Sequence, residues 1–319
     1  MTISDFLRKK AALKPKRILF PESDDERIIK AAIEISNLKI AIPILLSDKK
    51  IEGLDTLDEN DGEMKKRAVC FVQETKKISE EEAKSFISNK INFATVLVYL
   101  GYADALVAGA NTSTADTLKP SLYLRKLYPG VPPVTSCFFM ETKLNGENKT
   151  FVFSDCALNP EPSPAMLAQI SNSAAKAAKN ILDIKPYVAL LSFSTKQSAN
   201  SPSVEKVRTA LEIAKSKFPD LIIDGEMQAD AAIIDWIGEK KAPNSPVAGK
   251  ANVLIFPDLN SGNIAYKLVE RLANAKAIGP IILGLNPPVN DLSRGCSVDD
   301  IIDVTAVSSI QGGFYESNI

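Results

Sequence analysis

Histidine is absent from this 319-residue chain. Its absence excludes the Ser-His-Asp triad, the Cys-His dyad, the H-E-x-x-H zinc site and a histidine-held haem. Cysteine is scarce as well: Cys70, Cys137, Cys156 and Cys296 are the four, and no two stand in a C-x-x-C pair. Without histidine to complete a ligand set no metal site is expected, and so few scattered thiols read as reduced cysteines rather than a disulfide framework. The 15 glycines contain no G-x-G pair and no G-x-x-x-x-G-K-[ST] run, which removes the dinucleotide fingerprint and the P-loop. A surplus of positive charge is also missing, with 38 basic against 39 acidic residues and a net charge of −1. No nucleic-acid partner is therefore expected, since neutralising phosphates needs a basic excess.

Long apolar runs are lacking too. The stretch from Phe93 to Ala110 carries one charge, Asp104, but Gly101 and Tyr102 divide it, so it reads as a buried helix followed by a buried strand and not as a membrane span. The first ten residues carry charges and no apolar core of a signal peptide, which points to a cytoplasmic protein with no membrane partner. The available chemistry is that of carboxylates, Lys, Arg, hydroxyls and thiols.

What is present is an alternation. Apolar runs at 17–20, 40–46, 105–107, 150–153, 188–191, 221–223, 253–256 and 281–283 read as strands. Periodic segments at 26–35, 166–181, 204–215 and 264–275 read as amphipathic helices. Continuous apolar strands alternating with helices predict an α/β fold with mostly parallel, buried sheets, and the length suits two domains or one large one. Such folds bind ligands outside the carboxyl ends of strands, where loops enter helix N-termini.

Five of those loops hold chemistry. Pro21-Glu22-Ser23-Asp24-Asp25-Glu26 has capping-box spacing between Ser23 and Glu26 and an acidic first turn that would repel an anion, so it reads as structural. The segment Gly109 to Pro120 carries the hydroxyls of Thr112, Ser113, Thr114 and Thr117, with Lys119 one turn later. It reads equally as a phosphate cradle and as a Ser113/Asp116 helix cap. Ser192 to Ser201 surrounds Lys196 with hydroxyls, but Phe193 stands where an S-x-x-K acylase needs serine, leaving a polar loop. Phe256 to Asn263 is explained by turn chemistry or by orienting amides. The densest cluster is Asn290-Asp291-Leu292-Ser293-Arg294-Gly295-Cys296-Ser297-Val298-Asp299-Asp300. There Arg294 offers a permanent forked charge, while Asp300 reads either as the partner of Ser297 in a capping box or as a base.

Several long motifs in order identify the chain as similar to the phosphate acetyltransferase family, shared with phosphate butyryltransferases. They are Ala115-Asp116-Thr117-Leu118, Leu191 to Lys196, Asp224-Gly225-Glu226-Met227-Gln228-Ala229-Asp230, Lys241-Ala242-Pro243, Gly262 to Lys267, and Pro288 to Cys296. The resemblance is strongest from Gly101 to about Thr305. It implies two α/β domains arranged like those of isocitrate and isopropylmalate dehydrogenases with the active site in the cleft: residues 1–138 with 296–319, and residues 139–295 inserted. It implies reversible acetyl transfer between acetyl phosphate and coenzyme A in a ternary complex, with CoA as substrate and no permanent cofactor or metal. A homodimer coupled to acetate kinase is implied as well.

Carried onto this chain, the resemblance makes Ser293, Arg294 and Asp300 catalytic, and Ser113, Thr114, Thr117, Lys119, Arg271 and Asn290 substrate-binding. Asp300 would take the thiol proton of CoA. A carboxylate near ~3.9 and a thiol near ~8.5 differ by about 6 kcal/mol, which burial and nearby cations must narrow. Two positions depart from the family pattern: Asn111 stands where histidine is common, and Lys119 where arginine is common. Lys119 keeps the charge and loses the fork. The usual arginine before Ser79-Glu80-Glu81-Glu82 is also missing, with Gln73-Glu74-Thr75-Lys76-Lys77 in its place. The alternatives are a propionyl- or butyryltransferase and a catalytically silent acyl-CoA or acetyl-phosphate sensor. A hydride-transferring enzyme is disfavoured by the missing nicotinamide motif.

Overall fold

The computed structural model describes residues 1–125 and 133–314. The chain divides into two compact units, Met1–Pro129 with Leu285–Ile319, and Gly130–Gly284. The unit ends lie at 129/130 and 284/285, against 138/139 and 295/296 from the sequence. The reason is strand pairing. Thr135–Leu144 is a single paired strand that runs through position 138, and Val289–Asp291 pairs with Ala105–Ala108 of the first unit.

The first unit contains α1 (Ile3–Ala12), β1 (Arg17–Phe20), α2 (Glu26–Asn37), β2 (Ile42–Leu46) and β3 (Asp55–Leu57). It continues with α3 (Gly62–Lys76), α4 (Glu80–Ile87), α5 (Lys90–Tyr99), β4 (Ala105–Ala108) and α6 (Thr114–Leu124). The second unit supplies β5 (Thr135–Leu144), β6 (Glu147–Ser154), α7 (Pro164–Ile181), β7 (Val188–Leu191) and α8 (Pro202–Lys217). It goes on through β8 (Ile223–Met227), α9 (Ala229–Ile233), α10 (Asp235–Lys241), β9 (Val253–Ile255), α11 (Leu259–Leu272) and β10 (Lys276–Leu283). The chain then re-enters the first unit as β11 (Val289–Asp291) and α12 (Val298–Phe314).

In the first unit five parallel strands lie in the order β11-β4-β1-β2-β3. Ile18, Leu19, Phe20, Leu45, Leu46 and all of Ala105–Ala108 are buried, as expected of parallel strands covered by helices. The matching stripe of α2 is Ile28, Ala31, Ala32 and Ile35, at i, i+3, i+4 and i+7. Each buried isoleucine of that stripe stabilises the unit by ~1.5–3 kcal/mol. The helix starts at Glu26, as read from the sequence, but with a different cap. Asp25, not Ser23, is the N-cap, accepting from the Arg27 amide, and the Ser23 hydroxyl turns instead to the carbonyl of Leu46 at 2.7 Å.

The six strands of the second unit run β10-β5-β6-β9-β7-β8. The β6–β9, β9–β7 and β7–β8 pairs are parallel, while β10–β5 and β5–β6 are antiparallel, so the mostly parallel pattern expected from the sequence ends in an antiparallel edge here. The cause is local. Asn145 and Gly146, at φ 53° and 84°, close Leu144 onto Glu147, and an Asn-Gly pair with both residues left-handed makes the two-residue hairpin turn. Phe138, Phe151, Phe153 and Phe256 fill the core beneath, with Tyr266 stacked on Phe138 at 3.9 Å between ring centres. Among the described residues no helix is long and apolar enough to cross a membrane.

Candidate active site

Because β11, β4 and β1 are neighbours in a parallel sheet, the segments that follow them leave the same edge side by side. Those segments, 292–297, 109–113 and 21–25, lead into the N-termini of α12, α6 and α2. Strand order reverses between β1, whose chain continues to β2, and β4 on its other side. That switch point is where open parallel sheets present their binding crevice.

The backbone amides there are already engaged. Glu22 accepts from Gly109 N and Ala110 N through Oε2 and from Asn111 N through Oε1, each at 2.8 Å, and from the Thr112 hydroxyl at 2.9 Å. Three successive N–H groups form a nest for one anion, and the chain's own carboxylate fills it. The acidic segment read from sequence as an anion repellent is therefore the anion.

The remaining hydroxyls of this loop are committed likewise. Ser113, the N-cap of α6, donates to Asp116 Oδ2 at 2.7 Å and accepts from Asp116 N at 3.2 Å. Thr114 donates to Asp291 Oδ2 at 2.5 Å. Thr117 is fully buried, and its hydroxyl has no hydrogen-bond partner among the described residues. Thus Ser113 and Thr114 have given their protons to carboxylates and can offer an acyl phosphate only lone pairs, while Thr117 lies inside. Lys119 is exposed on α6 and can still offer charge.

Ser293 and Arg294 are exposed on the loop that leaves β11. Ser293 Oγ accepts from Gly295 N at 3.3 Å, leaving its own proton available as a donor. Asp300 sits one turn into α12 and forms a reciprocal cap with Ser297: Ser297 N and Oγ donate to its Oδ2 at 3.0 and 2.8 Å, and its own amide donates to Ser297 Oγ at 3.2 Å. The capping reading of Asp300 is therefore realised in the geometry. Asn290 departs from its expected role. It is fully buried, and its amide donates to Ser308 Oγ at 2.8 Å and Gln311 Oε1 at 2.6 Å. Both amide protons are spent tying β11 to α12, so Asn290 holds the loop's root and gives a ligand no donor.

Asp291 was not singled out in the sequence beyond its place in the motif. The residue is 1% exposed, and its Oδ1 has no hydrogen-bond partner among the described residues. Burial pushes its pKa up to about 6, opposed by the nearby Thr114 and Thr117 hydroxyls and assisted by the Glu22 charge. Gly109 is the residue that makes room for it. At φ 110° and with a Cβ position only 2.3 Å from Asp291 Oδ1, no larger residue fits.

Arg271 lies on α11 of the second unit, with its side chain 80% exposed and Glu270 at 3.8 Å. The Lys196 loop is consumed internally: Lys196 Nζ holds Asp224 at 2.6 Å and Gly225 O at 2.9 Å, while Ser194 and Gln197 N donate to Glu226. Asp258 caps α11 through Ser261 N at 2.8 Å, and Asn263 donates to Cys156 O at 3.0 Å, so turn chemistry accounts for that loop. The three buried thiols are quiet. Burial pushes Cys296 up to about 11 and raises Cys156 and Cys137 above the usual thiol range. No group of three His, Cys, Asp or Glu side chains able to hold a metal is found among the described residues.

The model of the phosphate acetyl/butaryl transferase family matches residues 2–309. A phosphate acetyltransferase of Thermoanaerobacterium thermosaccharolyticum is 48% identical over 98% of this chain and 99% of its own length. Among solved structures, a phosphotransacetylase from Streptococcus pyogenes is 39% identical with a TM-score of 0.88, covering 98% of this chain and 100% of its own. Another, from Staphylococcus aureus, is 40% identical with a TM-score of 0.87, covering 97% and 98%.

Proposed function

The chain belongs to the phosphate acetyl/butaryl transferase family, and from that premise we propose that it runs acetyl-CoA + phosphate ⇌ CoA + acetyl phosphate by direct transfer at the Ser293–Arg294–Asp300 cluster. The observation that carries this is the exposure of Ser293 and Arg294 on the loop between β11 and α12, which leads directly to Asp300 in the first turn of α12, held there by Ser297.

Asp300 accepts the proton of the CoA thiol, and the resulting thiolate attacks the acyl carbon of acetyl phosphate. The carbonyl π electrons move onto oxygen, then return as the C–O bond breaks and phosphate leaves with the bonding pair. Ser293, with its proton uncommitted, donates to the thiolate or to the oxyanion. Arg294 answers the charge that develops on the oxyanion and the departing phosphate. Lys119 adds charge from the first turns of α6. Ser113 and Thr114 act through the loop they hold, and Arg271 is assigned to CoA. A route through a Cys296 thioester is disfavoured, because a thiol at about 11 is protonated at neutral pH.

Purified protein supplied with CoA and either acetyl, propionyl or butyryl phosphate, followed by thioester absorbance without added metal, tests the reading. Turnover fastest with acetyl phosphate is expected. Faster turnover of a longer acyl phosphate reassigns the substrate, and binding of acetyl-CoA without turnover makes the protein a sensor.

A homodimer in the cytoplasm is the expected form, with acetyl phosphate exchanged with acetate kinase. Ile264, Leu268 and Leu272 make an exposed apolar stripe at i, i+4 and i+8 on α11, and large exposed apolar patches mark association surfaces. Leu268→Asp should halve the mass measured by light scattering; an unchanged dimer would place the contact elsewhere.

A further inference from the structure

Arg27 belongs to no motif singled out in the sequence, yet three loops of the candidate site converge on it. A guanidinium carries five N–H donors in a fixed plane, and here each one has an acceptor. Nε meets Asp25 Oδ1 at 3.1 Å, and Nη2 meets Asp25 Oδ2 at 2.7 Å and Ala110 O at 2.9 Å. Nη1 meets Arg294 O at 2.9 Å and Cys296 O at 3.1 Å. Asp25 is itself fixed as the N-cap of α2, so the plane of the fork is anchored in a helix.

From that helix the fork reaches the carbonyl of the hydroxyl-bearing loop and two carbonyls of the loop that carries Ser293 and Arg294. Glu22, five residues earlier on the same segment, takes the N–H groups of residues 109–111. The β1–α2 segment thus grips the 109–113 loop by its amides and its carbonyl, and fastens the 292–297 loop to it.

We infer that Arg27 is a positioning residue for acyl transfer: it sets where Ser293 and Arg294 stand by holding the backbone carbonyls of residues 294 and 296. The inference deepens the function proposed above and rests on that reading of Ser293 and Arg294. Arg27 touches no reacting atom. It acts through the backbone, where a displacement of about 1 Å costs about 10²-fold in rate. Lysine cannot replace it, because an ammonium has three donors and no planar fork.

The test compares Ser293→Ala, Arg294→Gln, Arg27→Lys and the double variant Arg27→Lys/Arg294→Gln, with kcat and both KM values measured for each. Arg27→Lys should lower kcat by about 10²-fold and leave both KM values within about threefold. In the Arg294→Gln background the same change should cost clearly less than in the parent, since only Ser293 is then left to position. Wild-type rates for Ser293→Ala and Arg294→Gln would defeat the reading of the site itself. Loss in those two with a normal kcat in Arg27→Lys would overturn the inference alone. So would full additivity in the double variant. A loss that merely tracks unfolded protein, measured by circular dichroism at the assay temperature, also overturns it, because positioning must be separable from folding.

Discussion

Asp300→Asn lowers kcat by about 10²–10⁴-fold and leaves both KM values near those of the unaltered protein, the range general-base catalysis contributes. The two jobs of this residue make the experiment decisive. As the partner of Ser297 in a reciprocal cap it holds the first turn of α12, and losing a cap costs about 1 kcal/mol. Asparagine keeps an acceptor oxygen for the Ser297 amide, so most of the cap survives while the proton acceptor is lost. A pure cap would show a slightly less stable protein with normal turnover. A base shows a folded protein that binds both substrates and barely turns over. Steady-state kinetics beside a urea titration separates the two outcomes, and normal turnover would assign Asp300 to the helix alone.

The second large effect is on stability and runs with pH. Burial raises Asp291 to about 6 in the folded chain, whereas in the unfolded chain it titrates as an ordinary carboxylate near ~3.9. The folded state therefore favours the protonated form. The stability Asp291 contributes is complete below its unfolded pKa and is lost as the pH rises through about 6. The raised value corresponds to ~3 kcal/mol of penalty for the buried charge at neutral pH and above. Asp291→Asn removes that penalty, keeps an acceptor for Thr114, and should be more stable than the parent by up to ~3 kcal/mol at pH 8. The advantage should shrink toward pH 5. Urea midpoints across pH 5–8 check it, and an advantage that does not change with pH, or a less stable variant at pH 8, would contradict the assignment. A carboxylate retained at such cost, bonded to Thr114 and two residues from Ser293, has the character of a residue kept for function.

The α/β alternation was legible because burial on both faces writes parallel strands as continuous apolar runs, as at 17–20 and 105–107. The β5–β6 hairpin was less so: its Asn145-Gly146 turn was present in the sequence, but only 150–153 of its second strand was read as a strand, and its first strand, Thr135–Leu144, was not read at all. The proposed Ser293, Arg294 and Asp300 cluster came from a motif whose members lie within eight residues, so a local pattern was enough to suggest it. Both helix caps in the loops, Ser113 with Asp116 and Ser297 with Asp300, followed from a three-residue spacing that geometry converts directly into hydrogen bonds.

What sequence alone determined about this protein is the class of fold, the chemistry open to a chain without histidine, and the family its motifs spell. What only the tertiary structure decided is which polar groups remain free. Four hydroxyls in one loop look like a phosphate cradle on paper; three of them donate to Glu22, Asp116 and Asp291, and the fourth is buried. Glu22 lies 87 positions from Gly109, and Arg27 lies 267 from Arg294. No local pattern records such a pairing. A hydrogen bond's partners are set by which strand ends the sheet order brings together, and that order is a property of the folded sheet, not of any segment of the chain.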